Sequence, residues 1–139
     1  MMAKLQEKYA DEPDFTMLLF PCNQFLDQEP HANSVIEAFA ATYLNLTDHT
    51  VKMFAKSDVN GPCKSTQEDA CDASSEKCCP DNNDVYSYLQ SVVPGKCTWN
   101  FNKYVVGRDG KPYSKRYGDE DFDTTLEPII DQLLKQRRL

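Results

Sequence analysis

The sequence lacks the features that mark several broad classes of protein. Its 139 residues contain no run of about 18 apolar residues, so no segment reads as a membrane-spanning helix. The first twelve residues are charged and have no apolar core of the kind that a signal peptide needs. Basic residues are outnumbered, 15 against 22 acidic ones, which gives a net charge of −7. Because such a surface repels phosphate backbones, nucleic acid is not an expected partner.

What the chain does contain suits one compact α/β domain, with 40% apolar residues in a length typical of single domains. Residues 15–20 are a short apolar run that reads as a buried strand, and residues 51–56 read as a second strand. Between residues 101 and 117, an Asp109-Gly110 pair separates two extended runs and predicts a hairpin. The predicted order is therefore strand, helix, strand, helix, hairpin, helix.

Helical spacing predicts three helices and the face that each one buries. The first begins with Asn33 or Ser34 as its cap, the second begins at Asp84, and the third is capped by Thr124 or Thr125. The predicted buried faces are Val35, Ile36, Phe39, Ala40 and Tyr43; Val85, Tyr88, Leu89 and Val92; and Leu126, Ile129, Ile130, Leu133 and Leu134.

Two short runs carry a resemblance to a known family. One is residues 20–30, FPCNQFLDQEP, and the other is Trp99-Asn100-Phe101. With Asp58-Val59-Asn60-Gly61 and residues 110–117, they resemble the glutathione peroxidase family. The resemblance implies a thioredoxin-like fold with three α/β/α layers. It also implies a thiol-dependent peroxidase that reduces hydrogen peroxide or organic hydroperoxides in oxidative-stress defence.

The resemblance also implies the catalytic residues. The family sets a glutamine, a tryptophan and an asparagine around a selenocysteine or cysteine nucleophile, and these three correspond to Gln28, Trp99 and Asn100. Neutral N–H donors suit this chemistry, since a nearby carboxylate would raise the pKa of the nucleophile. The nucleophile itself is expected upstream of Met1, within an N-terminal strand and turn that the sequence lacks.

Further expectations concern the reductant. Lys115 and Arg116 match a basic pair that some relatives use to hold the carboxylates of glutathione; a solvated hairpin edge is the alternative. Thioredoxin-using members carry a resolving cysteine where this chain has Ala41, which favours glutathione or another small thiol as the co-substrate, with no other cofactor. The segment from Asp84 to Trp99 is short and lacks the longer stretch that tetrameric members of the family insert there, so the chain resembles the monomeric members.

The cysteines outside this pattern leave several interpretations open. Cys22, at the end of a predicted buried strand, is interpreted as structural and inert. Residues 61–83 form an insertion that the resemblance does not explain. Its thiols could staple a loop, supply an alternative resolving thiol, bind zinc or serve none of these roles, and their spacing lacks a C-x-x-C half-site. These thiols belong to Cys63, Cys71, Cys78 and Cys79.

The sequence thus predicts a single glutathione-peroxidase domain over residues 1–139, incomplete at its N-terminus. We expect it to act with peroxide and a small thiol, as a monomer if a complete protein supplies the nucleophile. The alternative is a catalytically dead homologue that serves as a structural or interaction subunit, with a partner chain covering the open sheet. Both a cytoplasmic and a secreted protein fit these features, and His31 and His49 are expected at the surface.

Overall fold

The computed structural model of the chain describes residues 1–60, 83–113, 118 and 122–136. The chain divides into two compact units, Met1–Asn82 and Asn83–Leu139, and each unit is described by itself. Within the described residues, none of the helices is long and apolar enough to cross a membrane.

The first unit is built on two short parallel strands joined through a helix. Its elements are α1 (Met2–Lys8), β1 (Met17–Leu19), α2 (Asn33–Ala40) and β2 (Val51–Met53). β1 and β2 pair in parallel, with Leu18 opposite Lys52. Parallel neighbours require a crossover, and the segment containing α2 provides it. Both predicted strands are confirmed in place; β1 is shorter than predicted at both ends, whereas β2 begins at Val51 as predicted and ends three residues earlier.

The core of the first unit lies around α1, α2 and the strand β2. Val51 is fully buried, and the rings of Tyr9 and Phe15 pack with their centroids 4.5 Å apart. The Gln6 side chain fastens α1 to the segment before β2, since its amide bonds both the N–H and the C=O of Asn45, each at 2.9 Å. The buried apolar residues of the described part of this unit are Leu5, Tyr9, Phe15, Ile36, Leu44, Val51 and Val59.

The predicted start and buried face of α2 are partly wrong. The N-cap is Ala32, and no side chain caps the helix, because the Asn33 oxygen instead accepts the backbone N–H of Lys56 at 2.8 Å. Ile36 is buried as predicted, whereas Phe39 and Tyr43 are 65% and 67% exposed. Val35 is also exposed, so the apolar stripe of α2 turns mostly away from the core of its unit.

The second unit contains α3 (Asp84–Val92), a π-helical turn (Phe122–Leu126) and α4 (Glu127–Leu134). The Asn83 side chain caps α3 by accepting the Val85 N–H. The predicted hairpin turn is confirmed: Val106 and Pro112 form an antiparallel bridge, and the Gly107 N–H bonds the Lys111 carbonyl at 2.9 Å. Gly110 has a φ of +77°, a conformation that glycine adopts without a steric penalty.

Two predictions for the second unit are wrong. Leu89 is the only member of the predicted α3 face that is buried, while Val85, Tyr88 and Val92 are exposed. Thr124 and Thr125, predicted as caps of the last helix, lie instead within the π-helical turn. The N-cap of α4 is Leu126. Of the predicted stripe, Leu126 is buried and its remaining members are half-buried.

Candidate functional site

The Gln28 side chain is presented by a loop that follows β1. The chain runs on beside the segment after β2, since the Phe54 N–H bonds the Leu19 carbonyl at 2.9 Å and the Ser57 N–H bonds the Pro21 carbonyl at 3.0 Å. The loop therefore lies at the carboxyl end of the parallel pair, where open α/β sheets commonly bind their ligands. The side chain of Gln28 is exposed there.

Asn23 closes this loop from within. Its side chain is 9% exposed, its oxygen accepts the Glu29 N–H at 2.8 Å, and its amide donates to the Asp27 carboxylate at 3.2 Å. A buried amide with both ends bonded fixes the path of the chain around it. Asn23 is not among the site residues predicted from the sequence, and its place within the FPCNQF run is the signal that could have pointed to it.

Gln24 ties the same loop to the segment after β2. Its side-chain oxygen accepts the backbone N–H groups of Val59 and Asn60, both at 2.9 Å, and lies 3.5 Å from the sulfur of Cys22. The rings of Phe20 and Phe54 stack with centroids 4.4 Å apart. The loop is thus anchored to its neighbour by side-chain bonds and by ring contact, beyond the ends of the strands.

Trp99 and Asn100 lie in the second unit, on a turn that follows the buried residue Cys97. Trp99 is 41% exposed, and Asn100 is half-buried. The Asn102 side chain closes this turn by accepting the Thr98 N–H at 3.0 Å. The structure therefore places one predicted donor in the first unit and two in the second.

Backbone strain accompanies these donors in both units. The non-glycine residues of the described chain with positive φ are Leu26 at 55°, Asp27 at 51° and Phe101 at 57°. Leu26 and Asp27 directly precede Gln28, and Phe101 directly follows Asn100. A bulky residue in this left-handed region costs roughly 1–3 kcal/mol, and such residues cluster at functional sites. The positive-φ positions therefore lie within two residues of the predicted donors along the chain.

The remaining sequence predictions have mixed outcomes. Cys22 is half-buried rather than enclosed, because the chain has already left β1 and turned into the loop. His31 and His49 are exposed, as predicted. Ala41 is the C-cap of α2 and is exposed. Residues predicted to bind glutathione or to form the cysteine-rich insertion lie outside the described residues; these are Lys115, Arg116, Cys63, Cys71, Cys78 and Cys79.

Two further features bear on what the described part can bind. Within residues 1–60, 83–113 and 122–136, no three side chains of the metal-ligating types come together. A groove of about 700 Å³ lies between α2 and the loop behind it, and its lining includes Glu37, Ala41 and Leu46. None of the predicted donors lines this groove, so the groove is separate from the predicted catalytic residues.

Comparison with known proteins places the chain in a family. Residues 1–70 match the family model of glutathione peroxidase. The thioredoxin/glutathione peroxidase BtuE of Escherichia coli is 31% identical over 140 residues, which cover 96% of this chain and 73% of the relative. The glutathione peroxidase-like peroxiredoxin HYR1 of Saccharomyces cerevisiae is 32% identical over 137 residues, covering 95% and 70%. The probable glutathione peroxidase 5 of Arabidopsis thaliana is 32% identical over 139 residues, covering 97% and 67%.

The first unit is a mixed α/β arrangement with a parallel strand pair and a polar loop at the carboxyl end of that pair, which is consistent with the thioredoxin-like fold that the glutathione peroxidase family implies. The chain belongs to the glutathione peroxidase family. The relatives extend the match beyond residue 70 into the second unit, which includes Trp99 and Asn100. The predicted family is therefore confirmed, and the three-layer arrangement stays a prediction.

Proposed function

We propose that this protein is a thiol-dependent peroxidase that reduces hydrogen peroxide or organic hydroperoxides, with Gln28, Trp99 and Asn100 as its hydrogen-bond donors. Membership of the glutathione peroxidase family supports the reaction type. The observation that supports the choice of these three residues is the positive φ of Leu26, Asp27 and Phe101. Strained backbone therefore lies close to the predicted donors in both units.

The reaction needs a nucleophile that is a selenocysteine or a cysteine outside the 139 residues. Its anion attacks one oxygen of the peroxide: a chalcogen–oxygen bond forms, the O–O bond breaks, and the departing alkoxide takes a proton and leaves as an alcohol or water. One thiol then displaces water from the oxidised chalcogen and forms a mixed adduct. A second thiol releases the reduced nucleophile and yields a disulfide, so that two thiols are oxidised for each peroxide reduced.

The three side chains have separate tasks in this scheme. The Gln28 amide and the Trp99 indole donate to the chalcogen anion, and Asn100 orients the site and relays the proton. None of the three carries a charge, so they stabilise the anion without the pKa increase that a neighbouring carboxylate would cause. A preorganised donor of this kind is worth about 3 kcal/mol to a developing anion.

Glutathione is the reductant we propose. Ala41 stands where thioredoxin-dependent members carry a resolving cysteine, and it has no side chain that could form the internal disulfide. The thiol of glutathione would then complete the cycle, with Lys115 and Arg116 binding its carboxylates. Because the relative BtuE is named a thioredoxin/glutathione peroxidase, thioredoxin is the reductant against which glutathione should be compared.

The test uses the full-length protein that carries the nucleophile. Gln28→Leu should slow the oxidation of the nucleophile by peroxide in single turnover by about a hundredfold, as expected for a lost preorganised donor. Gln132→Leu, at an exposed position of α4, is the matched control and should oxidise at the normal rate. Steady-state turnover should depend on glutathione. If the two variants oxidised at equal rates, Gln28 would not be a catalytic donor. If the protein consumed no peroxide with any thiol, the catalytically dead alternative would be favoured.

A further inference from the structure

A buried lysine, which the proposed reaction does not use, lies beside the Gln28 loop. Lys56 follows β2 by three residues and is only 3% exposed. Lysine is almost never this buried unless its ammonium group is paired or hydrogen-bonded, because removing that charge from water costs a great deal of free energy. Its burial therefore requires a specific set of acceptors.

Its acceptors include two backbone carbonyls of the chain that leaves Gln28. The Lys56 ammonium donates to the carbonyl of His31 at 2.8 Å and to that of Glu29 at 3.3 Å. The backbone N–H of Lys56 donates to the Asn33 side-chain oxygen at 2.8 Å, which fixes the lysine against the start of α2. Lys56 thus joins the segment after β2 to the end of the Gln28 loop.

Glu29, the residue after Gln28, is held from both sides. Its N–H bonds the buried Asn23 oxygen at 2.8 Å, and its carbonyl accepts from Lys56. The two consecutive peptide groups that flank Glu29 are therefore each bonded to a buried side chain from another part of the unit. Pro30 follows, and its ring restricts the backbone further. These contacts add to the turn bond from the Gln28 N–H to the Phe25 carbonyl at 3.4 Å in fixing the Gln28 backbone.

We propose that Lys56 is a positioning residue that holds the Gln28 amide at the nucleophile, acting through the carbonyls of Glu29 and His31. This role rests on the proposed function, because Lys56 can affect the reaction through Gln28 only if Gln28 is a hydrogen-bond donor to the nucleophile. Positioning matters in such a site, since a displacement of about 1 Å can cost about a hundredfold in rate. A neutral apolar side chain at this place would leave both carbonyls without the ammonium donor.

The experiment compares three lysine variants of the full-length protein that carries the nucleophile. Lys56→Met keeps most of the volume and removes the ammonium group, and the rate of nucleophile oxidation should fall about tenfold or more. Lys56→Arg restores the charge and the donors and should recover most of that rate. Lys52→Met, at an exposed position of β2, is the matched control and should stay within about twofold of the wild-type rate.

A double-mutant cycle separates positioning from a general loss of stability. If Lys56 acts through Gln28, then Lys56→Met should change the oxidation rate less than about twofold in a protein that already carries Gln28→Leu. A merely structural lysine would give the same loss in both backgrounds, and that outcome would overturn the proposal. If Lys56→Met does not fold, Lys56→Gln, which removes the charge and shortens the reach, takes its place in the cycle.

The outcomes for the two proposals differ. If Gln28→Leu alone leaves oxidation unchanged, the donor assignment is wrong, and the positioning role falls with it. If Gln28→Leu slows oxidation but Lys56→Met does not, the donor assignment stands and the positioning role is overturned. The nucleophile's pKa gives a second readout: it should rise in both single variants if both weaken the same bond to the anion.

Discussion

The two loops that carry the proposed donors are built alike in one respect and differently in another. In each, an asparagine oxygen accepts a backbone N–H across the turn: Asn23 from Glu29 at 2.8 Å, and Asn102 from Thr98 at 3.0 Å. Each also places a bulky residue with positive φ within two residues of a donor. A polar side chain and a strained residue thus recur in two separate segments of the chain.

The difference lies in how deeply each asparagine is buried. Asn23 is buried and lies in a loop that Gln24 and Lys56 also hold, whereas Asn102 is half-buried. Because a hydrogen bond withdrawn from water is costlier to lose than one near solvent, the first loop should depend more on its asparagine. The Gln28 loop thus contains a buried polar network, while the bond that closes the Trp99 turn lies closer to water.

The largest expected effect concerns the second loop. Trp99→Phe keeps the ring and removes the indole N–H, so in the full-length protein nucleophile oxidation should slow by about a hundredfold. The nucleophile's pKa should rise, because its charged form loses a bond. Together with Gln28→Leu the loss should be smaller than the sum, since both donors serve one atom. A variant that oxidises normally with an unchanged pKa would make Trp99 a packing residue and leave the first loop as the main source of donors.

The next effect compares the two asparagines. Asn23→Ala should lower the free energy of unfolding by about 2 kcal/mol, since the half-buried Glu29 N–H loses the buried Asn23 oxygen as its acceptor, and Asn102→Ala by about 1 kcal/mol. Denaturant unfolding measures both. Asn83→Ala, which removes the cap of α3 away from either donor loop, should cost about 1 kcal/mol without slowing nucleophile oxidation. Equal losses at positions 23 and 102 would contradict the difference in burial.

The fold could be predicted where local chemistry decides the structure. The parallel strands, the Asp109-Gly110 turn and the start of α3 at Asp84 all follow from apolar runs, turn residues and caps. The buried faces could not be predicted as well, because helical spacing shows that a stripe exists and not what covers it. Phe39 and Tyr43 illustrate this: they have the right spacing but stay exposed.

The candidate site, like the fold, could be predicted only in part. Gln28, Trp99 and Asn100 could be named because the resemblance supplies residue types in a known order, without any structure. The residues that hold the first loop could not be named in the same way. Lys56 reads in the sequence as one more surface cation, and only the fold brings its ammonium group against the carbonyls of Glu29 and His31. Long-range contacts of this kind leave no periodic pattern.

A smaller effect tests the strain that the two loops share. Leu26→Gly and Phe101→Gly should each stabilise the protein by about 0.5–1 kcal/mol, because glycine adopts positive φ freely and both side chains are mostly exposed. Nucleophile oxidation should become slower, since each donor is then less firmly directed. Val85→Gly, at an exposed helical position, is the control and should destabilise instead. Loss of stability in both loop variants would show that these residues are held by contacts rather than strained.

The smallest effect is a pH dependence confined to the first unit. The Asp48 carboxylate accepts both the hydroxyl and, at 2.8 Å, the N–H of the buried Thr50, next to β2. These bonds, aided by the nearby charges of His49 and Lys52, hold the pKa of Asp48 below its ordinary value and outweigh the opposite effect of burial. A lowered folded-state pKa means that the carboxylate stabilises the fold above the unfolded pKa, about 3.9, and that this stabilisation is lost as the pH falls through the folded value.

Acid titration followed by amide exchange should therefore show protection at Val51 declining below about pH 4. Asp48→Asn should be less stable near neutral pH and should lack this part of the decline. Trp99, the single tryptophan, gives a fluorescence signal from the second unit and serves as the internal control. If Asp48→Asn left the acid response of Val51 unchanged, the carboxylate would not be the group that titrates. If Trp99 fluorescence changed over the same pH range and Asp48→Asn altered that change too, the two units would share one response to acid. The difference between their loops would then not extend to their stability.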